Sequence, residues 1–141
     1  MLTVSVSNLR RVLWVDATSG LTLALTHVAL SDLLQQWLGL PARWLWVSGL
    51  IVLGAALLSG SLAARATPPR WGVRLLAAGN LLWVAASLWV VWGAELALTP
   101  WGEAWVLAQA AFVLLLADLE WLGSRSVRRD PALAAAVSVA R

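Results

Sequence analysis

The residues that could do chemistry in this chain are ionisable or amide side chains embedded in long apolar stretches. If those stretches are helices that cross a bilayer, these side chains fall at two depths. Charged groups are costly to bury in a membrane and commonly mark ion, proton or ligand sites, so both depths are candidate sites. The inner layer consists of Asp16, Asn80, Asp118 and Glu120. The outer layer consists of His27, Gln109 and Glu95.

The inner layer has the composition of a cation or proton site, with the Asn80 amide as a further ligand. A structural role is the alternative, because Arg11, Arg74 and Arg125 lie at a similar depth and could form salt bridges that lock the helices together. We expect the structural role. Positions within about a turn of water carry a much smaller insertion penalty than the centre of a membrane helix.

His27 is the only histidine in the sequence. Histidine can carry a proton near neutral pH, and it can ligate a metal or a haem iron. Bis-histidine ligation would need a dimer or a partner, so an axial-ligand role is a minor alternative to packing with a hydrogen bond to Gln109 or a helix carbonyl. Asp16 shares a helix face with His27 but lies about 16 Å away along the axis, too far for direct proton transfer.

Tryptophan is almost the only aromatic residue, with eleven Trp, one Phe and no Tyr. Most of the tryptophans lie near the ends of the apolar stretches, which predicts anchoring at the membrane interface. Trp83 lies deeper and follows Asn80 by three residues, on the same face of a helix. It is the tryptophan we select as a candidate for stacking on a planar ligand.

Composition excludes several classes of protein. The chain is 61% hydrophobic and 12% charged, against about 45–50% and about 25% in typical globular domains, which predicts a membrane protein. The ten basic residues are all arginines at the ends of apolar stretches, so nucleic-acid binding is not expected. Cysteine is absent, and the chain lacks a metal-ligand cluster, a Ser/His/Asp order and a phosphate-binding glycine loop. We therefore expect that the protein is not an enzyme and that it binds no metal, and the sequence specifies no cofactor.

The apolar stretches predict an all-α fold, a four-transmembrane-helix up-down bundle. The predicted spans cover residues 12–31, 44–64, 75–97 and 105–123, within a domain of residues 1–125. Asn8 is the predicted N-cap of the first span, and a polar turn around Gln35 is expected to precede the second. Residues 126–141 are predicted to form a cytoplasmic tail that is either a surface helix or disordered.

Small residues at helical spacing predict where the spans touch, because close approach of backbones drives helix association in lipid. The predicted seams are Asp16, Gly20, Ala24, His27 and Ser31 in the first span; Ala56, Gly60 and Ala64 in the second; Gly72, Gly79, Ala86 and Gly93 in the third; and Ala110 and Ala117 in the fourth.

Arginine positions predict the orientation. In a four-span arrangement nine arginines fall on one side and only Arg43 on the other, where Asp32, Glu95 and Glu103 collect. The positive-inside rule then places both termini in the cytoplasm. The use of arginine without lysine and the abundance of alanine and leucine are typical of a bacterial source, so we expect the protein in the inner membrane of a bacterium.

Two sets of short segments carry resemblances to known families. The first set is Asp16-Ala17-Thr18-Ser19-Gly20, Gly79-Asn80-Leu81-Leu82-Trp83 with Ser87, Leu107-Ala108-Gln109-Ala110, and Asp118-Leu119-Glu120 with Gly123. Through these segments residues 9–125 resemble uncharacterised bacterial four-helix integral membrane proteins, similar to DoxX-like proteins in size only, which implies a fold and no known activity. The second set is Arg10-Arg11-Val12-Leu13 followed by His27, Ser31 and Trp37-Leu38. Through it the first span is similar to light-harvesting α-polypeptides, which implies His27 as a (bacterio)chlorophyll ligand.

Three functions follow as hypotheses. The favoured one is a non-catalytic accessory, assembly or structural subunit that contacts lipid and either other membrane subunits or copies of itself. The first alternative is a small proton-coupled transporter built on the inner layer. The second is a haem- or (bacterio)chlorophyll-binding membrane subunit that uses His27.

Overall fold

The computed structural model describes residues 5–126, which form five α-helices. Four of them are long and apolar enough to cross a membrane, and the described residues contain no β-strand, so the predicted helical architecture is confirmed at that level. The predicted tail lies outside the described residues, except for Ser126. The helices are α1 (Val6–Ala29), α2 (Ser31–Leu38), α3 (Ala42–Ala63), α4 (Arg70–Trp92) and α5 (Pro100–Ser126).

The first helix begins earlier than predicted. Ser5 is the N-cap, and its hydroxyl accepts a hydrogen bond from the backbone N–H of Asn8 at 3.2 Å. The predicted cap at Asn8 is therefore wrong. A serine three residues upstream satisfies an otherwise unpaired helix N–H equally well, which adds a turn to the helix.

The segment predicted as a polar turn before the second span contains a short helix, α2. It ends at Gly39, which adopts a left-handed conformation with φ 73° that glycine accommodates without strain. The Gln35 side chain accepts a hydrogen bond from the backbone N–H of Ala42 at 2.7 Å. This bond caps the start of α3 and ties the connecting helix to it.

The ends of α4 and α5 differ most from the predicted spans. α4 begins at Arg70, directly after the prolines, and stops at Trp92, five residues before the predicted end. Gly93 follows, and Glu95 has φ 50°, a conformation that a helix cannot contain. α5 begins at Pro100, because proline suits the first position of a helix, where its missing N–H costs nothing.

The long helices pack as two pairs, α1 against α3 and α4 against α5. Small residues allow the close approach of α1 and α3, as predicted: a methyl group on Gly20 would lie 3.2 Å from Ala56 Cβ, and one on Gly60 would lie 3.7 Å from Ala17 Cβ. The two pairs touch each other much less. One contact between the two pairs is that of Leu9 of α1 with Gly123 of α5.

The seam predicted along the third span is wrong. Gly72 is buried against Leu62, but Gly79 and Ala86 are exposed and Gly93 lies beyond the end of α4. Gly72 lies at the edge of the buried face of α4, and a seven-residue repeat drifts around a straight helix by about 20° per repeat, so Gly79 and Ala86 fall outside that face. The buried face of α4 consists of Gly72, Val73, Leu76, Ala77, Asn80 and Ser87.

Thr99 connects α5 to the end of α2. Its hydroxyl donates to the carbonyl of Trp37 at 2.6 Å and accepts from the backbone N–H of Gly102 at 3.0 Å. We expect Thr99→Ala to lower the free energy of unfolding by about 1 kcal/mol, because it removes the side-chain cap of α5 and the side-chain bond to Trp37. The backbone bond from Thr99 N–H to the Leu38 carbonyl remains. The measurement is an SDS titration of the protein in dodecyl maltoside micelles, followed by tryptophan fluorescence.

Thr18→Ala is the control for that substitution, since the Thr18 hydroxyl bonds only to carbonyls one turn back in its own exposed helix face. A loss of the same size in both variants would contradict a specific role for Thr99.

Candidate functional site

Four polar residues, one from each long helix, meet inside the bundle: Asp16, Ser59, Asn80 and Glu120. We call them the polar cluster. Asn80 Nδ2 donates a hydrogen bond to Glu120 Oε2 at 3.1 Å, and Glu120 is completely buried. The Asp16 carboxyl group lies next to Ser59 and Asn80. Because every long helix contributes one member, the cluster couples the two helix pairs.

The helices hold the cluster by simple periodicity. Asp16 lies on the buried face of α1 between Leu13 and Ala17, and Glu120 follows the buried Ala117 of α5 by three residues. Ser59 is one turn after Ala56 on the face of α3 that contacts α1, and its hydroxyl donates to the carbonyl of Leu13 at 2.8 Å. The cluster therefore extends the same faces that pack the helices.

Asp118 was predicted from the sequence to belong with these residues, but the structure does not bring it to them. Asp118 is exposed on α5, two residues from Glu120 and so on another face of the helix. The arginines at similar depth also lie elsewhere: the Arg74 guanidinium lies 5.3 Å from the centre of a ring of Trp121, and Arg11 and Arg125 are exposed. Three of the four predicted inner residues thus form one site.

The charge of the cluster is not balanced by the hydrogen bonds that the structure contains. Glu120 Oε1 is buried without a hydrogen-bond partner, and the ionisable group that acts on Glu120 electrostatically is another acid, Asp16. A buried carboxylate without a partner is strongly unfavourable. A proton or a bound cation must therefore compensate the charge of this pair.

A central cavity of about 570 Å³ lies between the two helix pairs, next to the polar cluster. Asp16 and Asn80 form part of its wall, whereas the rest is mostly aliphatic and aromatic and includes Trp83, Trp105 and Phe112. No arginine or lysine of residues 5–126 lines it. A cavity of this size and lining can hold a small organic molecule.

A second cavity, of about 380 Å³, lies around His27, and we call it the His27 cavity. His27 is 2% exposed, and its Nδ1 lies 2.8 Å from Ser48 Oγ. The hydrogen-bond partner of the histidine is therefore Ser48, and the expected bond to Gln109 is not the one formed. His27 Nε2 is buried without a partner.

The structure brings together only part of the outer layer that was predicted from the sequence. Gln109 lines the His27 cavity, but Glu95 is exposed in the loop between α4 and α5. Trp83 lines both cavities, as does Gln109, so the two side chains form part of the wall between them. The spacing of Asn80 and Trp83 predicted a shared face, and both residues line the central cavity.

Three kinds of residue at these sites were not predicted from the sequence. Ser59 could have been found, because it lies one turn after Ala56, within the limits of the small-residue seam predicted for the second span. Ser48 carried no comparable signal, since its role depends on which residue of another helix faces it. Trp44 and Trp89 stack with ring centres 5.9 Å apart and join α3 to α4 beside the His27 cavity. Their contact with each other was not predicted from the sequence.

Among the described residues, no group of three or more His, Cys, Asp or Glu side chains is placed to hold a metal ion. Comparison with protein-family models, with curated proteins and with solved structures finds no match to this chain. The two resemblances drawn from the sequence therefore stay predictions, and functional inference depends on the two cavities and the polar cluster.

Proposed function

We propose that this protein is a small multi-pass membrane carrier that binds an apolar organic cation in the central cavity and exchanges it for protons at Asp16 and Glu120. The observation that carries the proposal is the pair of buried acids, bridged by Asn80, beside a cavity that is otherwise apolar. Such acids inside a membrane bundle are typical of ion and proton pathways.

The lining of the central cavity supports a cation over an anion or a neutral sugar. Asp16 supplies negative charge at the wall, and Glu120 lies behind Asn80. Trp83, Trp105 and the phenyl ring of Phe112 offer aromatic faces, which attract cations. A hydrophilic solute would leave its polar groups unpaired against this lining, so a lipophilic cation fits best.

The arginine distribution supports a location in the bacterial cytoplasmic membrane with both termini inside. Arg10 and Arg11 lie near the start of α1, and Arg65 lies in the turn between α3 and α4. Arg125 lies at the end of α5, so these arginines belong to the same end of an up-down bundle, whereas Arg43 begins α3 at the other. The positive-inside rule makes the arginine-rich end cytoplasmic.

The test is uptake of ethidium, an organic cation, into proteoliposomes that carry a transmembrane pH gradient with the acidic side inside. The protein is expected to accelerate uptake over protein-free liposomes. Asp16→Asn and Glu120→Gln are each expected to reduce the gradient-dependent part at least about ten-fold, because one removed charge has to cost only about 1.4 kcal/mol for this effect.

The chain offers a matched control for each substitution. Asp118→Asn and Glu95→Gln make the same chemical changes at exposed acids outside the cluster, and both variants are expected to transport at the unmodified rate. Uptake equal to that of protein-free liposomes in the unmodified protein, or equal uptake in all four variants, would contradict the carrier function.

The expectation of an accessory or assembly subunit stays a prediction. Blue-native electrophoresis after mild detergent extraction tests it, and a single small species would count against it. The expectation of a haem- or pigment-binding subunit also stays a prediction, which the visible absorption spectrum of the purified protein tests.

A further inference from the structure

We infer that the His27 cavity is a second binding site, for a neutral planar aromatic molecule that carries at least two hydrogen-bond donors, such as a phenolic diol or an aromatic diamine. This inference goes beyond the proposed function: it concerns a different cavity, and it does not require transport. It starts from three buried polar atoms that the fold leaves without a partner: His27 Nε2, Gln109 Oε1 and Trp83 Nε1.

The hydrogen bonds around Ser48 determine the tautomer of His27. The Ser48 hydroxyl has a single hydrogen, which it donates to the carbonyl of Leu45 at 2.8 Å. Its oxygen can therefore only accept from the histidine, so Nδ1 carries the ring hydrogen in the 2.8 Å bond between His27 and Ser48. The Nε2 atom of the neutral ring is left with a free lone pair and needs a donor.

The other two unpartnered atoms complete the pattern. Gln109 Oε1 is an acceptor, and Trp83 Nε1–H can only donate. Three side chains that line the cavity thus carry two unpaired acceptors and one unpaired donor. Leaving such groups unpaired in a buried site is unfavourable, and a complementary ligand recovers that free energy. A ligand with acceptors alone would leave two of the three atoms unpaired.

The rest of the wall indicates the shape of the ligand. Trp44 and Trp89 are stacked beside the cavity, and Leu45, Ile51 and Val106 provide aliphatic surface. Flat aromatic rings pack well on such surfaces. At about 380 Å³ the cavity has room for a molecule of one or two fused rings.

The single histidine makes a sharp test feasible. The full chain is purified on a histidine-free tag, labelled with ¹⁵N only in histidine, and titrated with 2,6-dihydroxynaphthalene. The comparison ligand, 2,6-dimethoxynaphthalene, has the same rings but no donor. We expect the diol to move the Nε2 resonance of His27 upfield as it accepts a hydrogen bond, and the dimethoxy compound to bind at least about ten-fold more weakly.

Variants test the donor and the second acceptor. Trp83→Phe keeps an aromatic ring but removes the N–H group, and Gln109→Leu removes the acceptor; each is expected to weaken diol binding about ten-fold. Trp101→Phe is the matched control, since Trp101 is 76% exposed and lies outside both cavities. It is expected to leave diol binding unchanged.

Three results would overturn the inference. The first is equal shifts of the His27 signal with both naphthalenes, which would mark an unselective apolar cavity. The second is no shift at the solubility limit of the diol. The third is diol binding that neither Trp83→Phe nor Gln109→Leu weakens. The His27 signal reports this cavity alone, because His27 and Ser48 line only the His27 cavity, whereas Trp83 and Gln109 line both cavities. A selective response of His27 to the diol, together with failed ethidium transport, would therefore refute the carrier function and leave this inference standing.

Discussion

Asn80→Leu is expected to lower the free energy of unfolding by on the order of 3 kcal/mol. Leucine is close to asparagine in size, so the substitution removes the amide while it leaves the packing of α4 nearly intact. Glu120 loses the hydrogen bond to its Oε2, and its other oxygen has no partner to begin with. The carboxyl group is then buried without any donor from Asn80.

The measurement is the SDS titration in dodecyl maltoside micelles followed by tryptophan fluorescence. Asn8→Leu makes the same change at an exposed position of α1 and is expected to have little effect. The double variant Asn80→Leu with Glu120→Leu is expected to recover most of the loss, since it removes the unpaired acid as well. A double variant as unstable as the sum of the two single variants would show that the two side chains do not interact.

Gly49→Val is expected to destabilise the bundle by about 2–3 kcal/mol by separating α1 from α3. A Cβ atom at position 49 would lie 2.8 Å from Val28 Cγ2 and 3.1 Å from the backbone carbonyl oxygen of Ala24. The backbone oxygen cannot rotate away as a side chain could, and valine adds two further carbon atoms. His27 lies beside the same contact, so the His27 cavity should also be distorted.

Gly54→Val is the matched control on the same helix, because a Cβ atom there meets no atom within 4 Å. It carries the same change in helix propensity and is expected to be close to neutral in the SDS titration. If both variants were equally unstable, the loss would come from the valine itself rather than from the interface between α1 and α3.

Much of the fold could be predicted from the sequence because long apolar helices have a strong local signal. The number of long helices and their approximate positions followed from hydropathy and from the length needed to span a bilayer. Gly20 and Ala56 were each predicted to lie on a packing seam of their own helix, although their contact with each other was not predicted. The predicted ends were less accurate, since a cap such as Ser5 or a turn such as the one at Glu95 depends on a few local hydrogen bonds and dihedral angles.

Three of the four residues of the polar cluster could be predicted from the sequence. Asp16, Asn80 and Glu120 were selected because ionisable and amide groups are rare inside apolar spans, and the structure brings them together. Asp118 met the same criterion but lies on another face of α5. The sequence indicates how far along its helix a residue lies. It does not indicate how far each helix is rotated about its axis.

The sequence by itself determined the all-α class of the fold, the four long helices and the depth of each polar residue along its helix, because these depend on composition and on spacing along one helix. Only the tertiary structure decided that Ser59 joins the buried acids and that Ser48 bonds to His27. It also decided that the long helices pack as two pairs and that cavities remain between them. Those features depend on the rotation of each helix and on contacts between residues as distant as Leu13 and Ser59, which no local pattern encodes.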